Sequence, residues 1–343
     1  MPCYSPNAMA RDRYGDTRFI SGHHIRQSLH FKDDIGLTSG TNKAIVYNFT
    51  LSNDFRAQEI FPIACKSCVG CRLYYSQDWG IRCMHEAQMH DDNMFLTITY
   101  NEENLPPNGY LVKEDMQKFF KRLRRHLDYR GLPSKFRYLY CGEYGDKNGR
   151  PHYHAIIFGL DMPDKQIHKH SRGHNLYISE ILHQTWGKGY IYIGDVSYQS
   201  ACYVARYALK KINGPQSQEH YAVLDDDGVV IGHKPKEFCH TSNRKQNEEA
   251  IGGGLGATWF EEFNKYVYPI DRITMNGKEM TPPIYYDKLL KRSNLELFEQ
   301  IKAKRQSDSV WRSLTKDEEQ SQRRLLQKQT VKFAQIANLH REV

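Results

Sequence analysis

The sequence predicts an α+β fold in which helices cover one face of an antiparallel sheet. The segment "MFLTITY" at 94–100 alternates apolar and polar residues and is rich in β-formers, which is typical of a half-buried strand. The segment "GDKNGR" at 145–150 favours a turn, and the strand-like residues on both sides of it predict a hairpin. A third segment, 113–127, has apolar residues at helical spacing. These observations give the order β-α-β-β-α-β-α.

Each element has a local reason. The apolar stripe of the helix at 113–127 consists of Met116, Phe119, Phe120, Leu123 and Leu127. The hairpin joins "KFRYLYCGEYG" at 135–145 to a return strand, "HYHAIIF". A helix near 179–186, a short strand "GYIYIG" and a helix from about Ser197 to Ile212 follow, and "NGP" ends the last helix.

Three regions are expected along the chain. Residues 1–60 are polar and irregular, which indicates an arm or a small accessory sheet. Residues 61–215 hold the predicted α+β domain, including a cysteine-rich element at 65–83. Residues 216–343 form a C-terminal region that looks helical and highly charged from about 284. The glycine-rich segment 251–259 lacks the Lys-Ser/Thr of a phosphate-binding P-loop, so we predict a loop there.

Composition favours a polyanionic partner. The 343 residues carry a formal net charge of +8, and 39% of them are hydrophobic, enough for a globular core. The sequence contains no apolar run of about 18 residues, so no transmembrane helix is predicted. The N-terminus lacks the apolar segment of a secretory signal. The eight cysteines are therefore expected to be reduced thiols or metal ligands in a cytosol.

Two histidines near the hairpin turn suggest a metal site. Residues two apart on a strand point to the same face, so His152 and His154 project together with Tyr153 opposite. Glu143 lies nine residues before His152, across the predicted turn. Two imidazoles and one carboxylate suit Mg²⁺ or Mn²⁺ and leave coordination positions open. The alternative is a polar pair on an edge strand with a surface glutamate.

Paired tyrosines mark the helix that contains "YVARYALKK". Its apolar arc consists of Ala201, Val204, Ala205, Ala208 and Ile212. Tyr203, Tyr207 and Lys210 lie on the opposite arc, with Lys211 at its edge. Tyrosines one turn apart beside ammonium groups suit phenolic nucleophiles that attack phosphate. The alternative is that both tyrosines simply pack on a sheet.

The cysteines of "CKSCVGC" suggest a second metal. Cys65, Cys68 and Cys71 are separated by the two-residue gaps of thiolate sites, and Cys83 follows twelve residues after Cys71. Structural zinc is the first interpretation. An iron–sulfur cluster and free thiols are the alternatives.

Basic residues on the two helices could contact nucleic acid. Arg122, Arg124, Arg125 and Arg206 are candidates for phosphate contacts. A charged helix face is otherwise simply solvated.

The segments "FLTITY", "GEYG…RPHYHAIIFG" and "YVARYALKK" together resemble the three ordered motifs of HUH rolling-circle replication initiators. HUH denotes His-hydrophobic-His, and Tyr153 fills the middle place. The segments "CKSCVGCRLYYSQDWGIRCMHEA" and "FFKRLRR" look like the initiators of gokushoviruses, small circular single-stranded DNA phages of the microvirus group. The resemblance covers about residues 61–212 and implies the HUH endonuclease fold, which is ferredoxin- or RRM-like.

The resemblance implies a metal-dependent nickase for single-stranded or origin DNA. One tyrosine becomes joined to the 5′ phosphate, the released 3′ hydroxyl primes synthesis, and the second tyrosine allows the ends to be rejoined. His152 and His154 match the family's metal ligands, and the resemblance implies Glu143 as the third. Tyr203 and Tyr207 match its paired nucleophiles, and Lys210 and Lys211 its trailing basic positions.

The resemblance also implies partners and a place of action. A host polymerase would extend the 3′ hydroxyl, and a host helicase would unwind the duplex, since the chain has no Walker A motif of its own. The host bacterial cytoplasm is the expected location, and no membrane partner is expected. Two other functions stay open: a non-catalytic, basic protein that binds single-stranded DNA, and a metal-dependent hydrolase that uses water.

Overall fold

A computed structural model gives the structure of the chain in two compact units, Met1–Tyr74 with Lys302–Val343, and Tyr75–Ile301. This division does not coincide with the boundaries expected from the sequence. The residues that the structure describes are 3–4, 7–12, 14, 17–20, 49–52, 55–66, 68–145, 148–171, 173–207, 216–242, 253–315 and 322–337. None of the helices in these ranges is long and apolar enough to cross a membrane.

The strands and helices are numbered in chain order. The strands are β1 (Asn7–Asp12), β2 (Thr17–Ile20), β3 (Phe49–Ser52), β4 (Phe55–Ile63), β5 (Asn93–Tyr100), β6 (Arg137–Tyr144), β7 (Pro151–Phe158), β8 (Gln166–Ser171), β9 (His174–Ile178), β10 (Gly189–Gly194), β11 (Ala222–Leu224), β12 (Val230–His233), β13 (Phe238–Thr241), β14 (Ile273–Met275) and β15 (Lys278–Met280). The α-helices are α1 (Val69–Gln88), α2 (Lys113–Tyr129), α3 (Glu180–Trp186), α4 (Tyr198–Tyr207), α5 (Gln216–Tyr221), α6 (Ala257–Val267), α7 (Ile284–Ser293), α8 (Leu295–Thr315) and α9 (Gln322–Ala337).

The first unit contains a four-stranded antiparallel sheet in the order β2-β1-β4-β3. Strands β1 to β3 and most of β4 come from residues 1–60, for which an arm or a small accessory sheet was expected, and we refer to this sheet as the accessory sheet. The segment "AIVYNFTL" at 44–51 contributes β3 from Phe49 onward, and residues 44–48 lie outside the described part of the chain.

The second unit is built on a seven-stranded antiparallel sheet in the order β13-β6-β7-β5-β10-β9-β8. The expected strands β5, β6, β7 and β10 and the expected helices α2 and α3 are confirmed. Helix α4 is confirmed over Tyr198–Tyr207, and the rest of the expected helix lies outside the described residues. The C-terminal helices α7, α8 and α9 confirm the helical character expected after 284.

Helices pack on both faces of this sheet, whereas the sequence suggested one covered face. Alternate residues of β5 explain the two layers, because Leu96 and Ile98 join a core with α2 and α3, while Phe95 points to the other side. On that other side Ala201 and Val204 of α4 are buried against β6 and β7. The second apolar layer explains why residues of β7 are buried on both faces.

The glycine-rich segment ends in a tight connection to α6. Gly256 has φ +81°, and its N–H donates to Oε2 of Glu86 at 2.7 Å. Oε1 of the same carboxylate accepts from Arg137 at 2.8 Å. Burial raises the pKa of Glu86, but hydrogen bonds from His90 and Gly256 and the charge of Arg137 lower it overall. A protein carboxylate thus sits at the N-terminus of α6. Residues 257–259 of the expected loop belong to α6, so the loop prediction holds only for the described residues 253–256.

Replacing Gly256 with alanine is expected to lower the free energy of unfolding by roughly 2–4 kcal/mol. A Cβ there would lie 2.4 Å from the Tyr286 hydroxyl oxygen, on a backbone that already has a positive φ. Gly228→Ala is the matched control, because its φ is +78° and no heavy atom lies within 4 Å of the added Cβ. The control should lose only the backbone part, about 1–2 kcal/mol, in urea unfolding. Equal losses for the two variants would show that Tyr286 does not confine this loop.

Candidate metal centre and nucleophile

The β6–β7 hairpin brings the three predicted metal ligands together. Glu143 and His152 are directly opposite each other in the ladder, and His154 lies two residues further along β7. Oε1 of Glu143 lies 2.7 Å from Nε2 of His152 and 3.1 Å from Nε2 of His154. The three side chains can therefore present one oxygen and two nitrogens to a single ion.

Burial and charge distinguish this cluster from an edge-strand polar pair. Glu143 and His154 are each 1% exposed, while His152 stays partly open to solvent. Burial by itself raises the pKa of Glu143, but the hydrogen bonds from the two histidines and their positive charge lower it to about 2. The carboxylate is therefore held in its ionised form, the form in which it binds a metal.

Neighbouring groups orient both imidazoles. Nδ1 of His152 lies 3.2 Å from the carbonyl oxygen of Arg150, which can only accept, so this contact places a proton on Nδ1. Nε2 of the same ring faces Oε1 of Glu143 at 2.7 Å, where it donates a hydrogen bond while protonated and offers its lone pair to a metal ion that replaces that proton. Nδ1 of His154 contacts Oγ1 of Thr97 at 3.3 Å. The donor set and its outer partners fit a divalent ion with open positions.

Tyr153, between the two histidines, points to the other face of the sheet. Its hydroxyl donates to the carbonyl of Val112 at 2.9 Å and accepts from the N–H of the same residue at 3.0 Å. It also lies 2.8 Å from the hydroxyl of Tyr100, which donates to Asp115 at 2.8 Å. This buried network connects β7 to β5 and to the beginning of α2.

Helix α4 places one predicted nucleophile beside the metal centre. The ring centroids of Tyr203 and His154 are 5.1 Å apart, with the ring planes at 81°. Tyr203 is partly buried and packs on the core of the sheet, so its ring does not point away from the packing face of α4 as the helical projection indicated. The buried arc of Ala201, Val204 and Ala205 is confirmed.

Other predicted residues of this helix lie at the limit of the description. Arg206 and Tyr207 belong to α4, but their side chains are outside the described part of the structure. Lys210 and Lys211, with Ala208 and Ile212, lie outside the described residues altogether. The roles assigned to them stay predictions.

The arginines of α2 lie over the opposite face of the sheet from the metal centre. Arg122 donates to the carbonyls of Thr185 and Trp186 at the C-terminus of α3, at 2.9 and 3.1 Å. Arg124 covers the ring of Phe136 at 4.4 Å from its centroid. Arg125 is exposed. The structure thus gives Arg122 and Arg124 packing roles and does not bring the three arginines to the candidate site.

The predicted cysteine ligands are only partly brought together. Cys65, Cys68 and Cys71 cluster, but their neighbour is Cys3, not Cys83. Cys83 is buried in the core of the second unit. It lies twelve residues after Cys71 on helix α1, a distance of about 18 Å along the helix axis, which is too far for both to bind one ion. The assignment of Cys83 as a ligand is therefore wrong. Cys3 was missed because it stands more than sixty residues before the motif.

Comparisons with known proteins agree with this geometry. Residues 93–212 match the family model described as replication-associated protein ORF2/G2P. The replication-associated protein VP4 of Bdellovibrio phage phiMH2K is 34% identical over 266 residues, which cover 76% of each chain. The replication-associated protein ORF2 of Spiroplasma virus 4 is 30% identical over 273 residues, 76% of this chain and 78% of the relative. No solved structure matches the chain significantly. The family match spans β5 to α4 and so includes every residue of the candidate metal centre and both tyrosines.

Proposed function

The chain belongs to the replication-associated proteins of gokushovirus-like phages, and from this premise we propose that it is a metal-dependent nickase that initiates rolling-circle DNA replication. The observation that carries the proposal is the contact between the rings of Tyr203 and His154, beside the carboxylate of Glu143. A tyrosine next to such a donor set is suited to attack a phosphate that the same centre binds.

Glu143, His152 and His154 would hold Mg²⁺ or Mn²⁺. When bound, the ion supplies Lewis-acid stabilisation of the negative charge on the scissile phosphate. The chain's own contribution is to keep Glu143 ionised and both imidazoles oriented through the Arg150 carbonyl and Thr97. These outer contacts form with the sheet, so the donors need little reorganisation when the ion binds.

In the proposed step the Tyr203 hydroxyl loses its proton to water, and its oxygen attacks the phosphorus. The bond between phosphorus and the 3′ oxygen breaks, and this oxygen takes up a proton. The products are a 5′-phosphotyrosine and a free 3′ hydroxyl. Tyr207, one helical turn further along α4, would perform the second transfer, which rejoins the ends. Lys210 and Lys211 would follow as positive charges near the phosphate.

The proposed partner is single-stranded or origin DNA, in agreement with the net charge of +8. DNA bound over the candidate metal centre lies on the other face of the sheet from α2. Contacts with Arg122, Arg124 and Arg125 would therefore require DNA that passes around the edge of the sheet. The reaction would take place in the cytoplasm of the host bacterium, where a host polymerase extends the 3′ hydroxyl and a host helicase unwinds the duplex.

Incubation with circular single-stranded phage DNA and Mn²⁺, followed by a denaturing gel, tests the function. We expect a covalent protein–DNA adduct, and peptide mapping should find the nucleotide on Tyr203 or Tyr207. DNA binding without cleavage would instead support the non-catalytic binding protein. Cleavage that leaves a free 5′ phosphate and no adduct would support a hydrolase that uses water.

A further inference from the structure

Four thiols from two distant segments meet in the first unit. The sulfurs of Cys3, Cys65, Cys68 and Cys71 all lie within 4.8 Å of one another, and none of these residues forms a disulfide bond. Two of the separations are 3.8 Å, between Cys3 and Cys68, and 4.0 Å, between Cys65 and Cys71. An ion with four tetrahedral sulfurs at about 2.3 Å requires sulfur–sulfur separations of about 3.8 Å. The two separations given above match this value, and the other pairs lie within 4.8 Å.

Backbone N–H groups point at the sulfurs. Tyr4 donates to Sγ of Cys68 and Cys65 donates to Sγ of Cys3, both at 3.3 Å, and Cys68 donates to Sγ of Cys65 at 3.2 Å. Donors around a sulfur stabilise the thiolate, which is the form that binds metal. Lys66, with φ +62°, allows the turn between the first two cysteines of the motif. The backbone of the motif is therefore shaped around the sulfurs.

The surroundings also suit a structural ion. Cys68 is buried with Tyr4 and Leu325, and the other three cysteines are partly covered. Four protein sulfurs complete a tetrahedral coordination shell and leave no position for a substrate. We propose that Cys3, Cys65, Cys68 and Cys71 bind one Zn²⁺ as a structural tetrathiolate site, separate from the Glu143 centre.

The ion would fasten one end of the accessory sheet. Asn7 of β1 pairs with Ile63 of β4. Cys3 precedes this pair by four residues and Cys65 follows it by two. The metal therefore crosslinks β1 to β4 where their ladder ends. Cys71, in the first turn of α1, connects the same crosslink to that helix.

X-ray absorption spectroscopy on the full chain, purified under reducing conditions without chelator, tests the site. We expect zinc with four sulfur neighbours at about 2.3 Å. Because zinc bound at Glu143, His152 and His154 would lower the average number of sulfur neighbours, the measurement is made on the His152→Ala/His154→Ala variant, which keeps all four cysteines. Protein without metal, a spectrum with fewer than four sulfurs, or the visible absorbance of an iron–sulfur cluster would overturn the proposal.

Two cysteine variants identify the fourth ligand. Cys3→Ala should weaken zinc binding more than about 100-fold in competition with a chromogenic chelator, because loss of even an outer partner of a ligand costs 10- to 100-fold. Cys83→Ala is the matched control and should bind zinc like the wild type. Hydrogen exchange should accelerate in β1 and β4 of Cys3→Ala and stay unchanged in β6 and β7. Equal zinc loss in both variants, or in neither, would contradict the assignment of Cys3.

Discussion

His154→Ala is expected to lower the rate of DNA cleavage at least about 100-fold, because replacing even an outer partner of a metal ligand typically costs 10- to 100-fold. The buried imidazole is one of three candidate donors, and without it the cluster keeps Glu143 and the more exposed His152. Affinity for Mn²⁺, measured by calorimetry, should fall together with the cleavage rate. Binding of a short single-stranded oligonucleotide, followed by fluorescence anisotropy, should be largely retained.

His183→Ala serves as the control for this variant. His183 is exposed on α3, which packs on the opposite face of the sheet, so both cleavage and Mn²⁺ affinity should match the wild type. Full cleavage by the His154 variant in the presence of a chelator would remove the metal from the mechanism. Normal Mn²⁺ affinity with lost cleavage would place the ion elsewhere.

The double variant Tyr203→Phe with Tyr207→Phe is expected to form no covalent adduct. Phenylalanine removes only the hydroxyl, so the ring of Tyr203 can still pack against His154 and the helix keeps its place. Each single variant should lose one of the two transfers and keep detectable nicking, because only one phenol at a time is in line with a given phosphodiester. Denaturing gels with labelled DNA measure both effects.

Tyr129→Phe provides the control, since this residue is 93% exposed at the end of α2 and should form the adduct normally. Circular dichroism and Mn²⁺ affinity of the double variant should equal those of the wild type. An adduct that persists in the double variant, or maps to a third tyrosine, would mean that α4 is not the catalytic helix.

The features of this protein that could be predicted are those that depend on the pattern of residues close together in the sequence. Alternation at 94–100 predicts β5, and the strand-like segments on both sides of the turn predict β6 and β7. A hairpin register then suffices to bring Glu143 opposite His152. The central sheet and the grouping of the candidate metal ligands could therefore be predicted from local sequence, because these residues sit on adjacent strands joined by a short turn.

Features that depend on distant contacts could not be predicted in this way. The spacing between Cys71 and Cys83 does not show that both lie on one long helix, which places Cys83 far from the thiol cluster. The sequence around Cys3 likewise gives no sign of its partners. Strand β13 has four half-buried residues, and only its pairing with β6 makes it a strand. A helical projection places Arg122 on the solvated face of its helix. Its guanidinium in fact donates to backbone carbonyls of another helix, which a projection of one helix cannot show.

The hydroxyl network of Tyr153 has a consequence for how the metal centre is assembled. Sliding β7 by one residue would turn both histidines into the aromatic core and Tyr153 toward Glu143. Such a slip would also strip a buried hydroxyl of its contacts with Val112 and Tyr100, at a cost of about 1–3 kcal/mol for each group left unsatisfied. The middle residue of the His-Tyr-His motif thus favours the correct register of strand pairing over a register shifted by one residue. A chain that has paired this sheet correctly has, in the same event, aligned its candidate metal ligands.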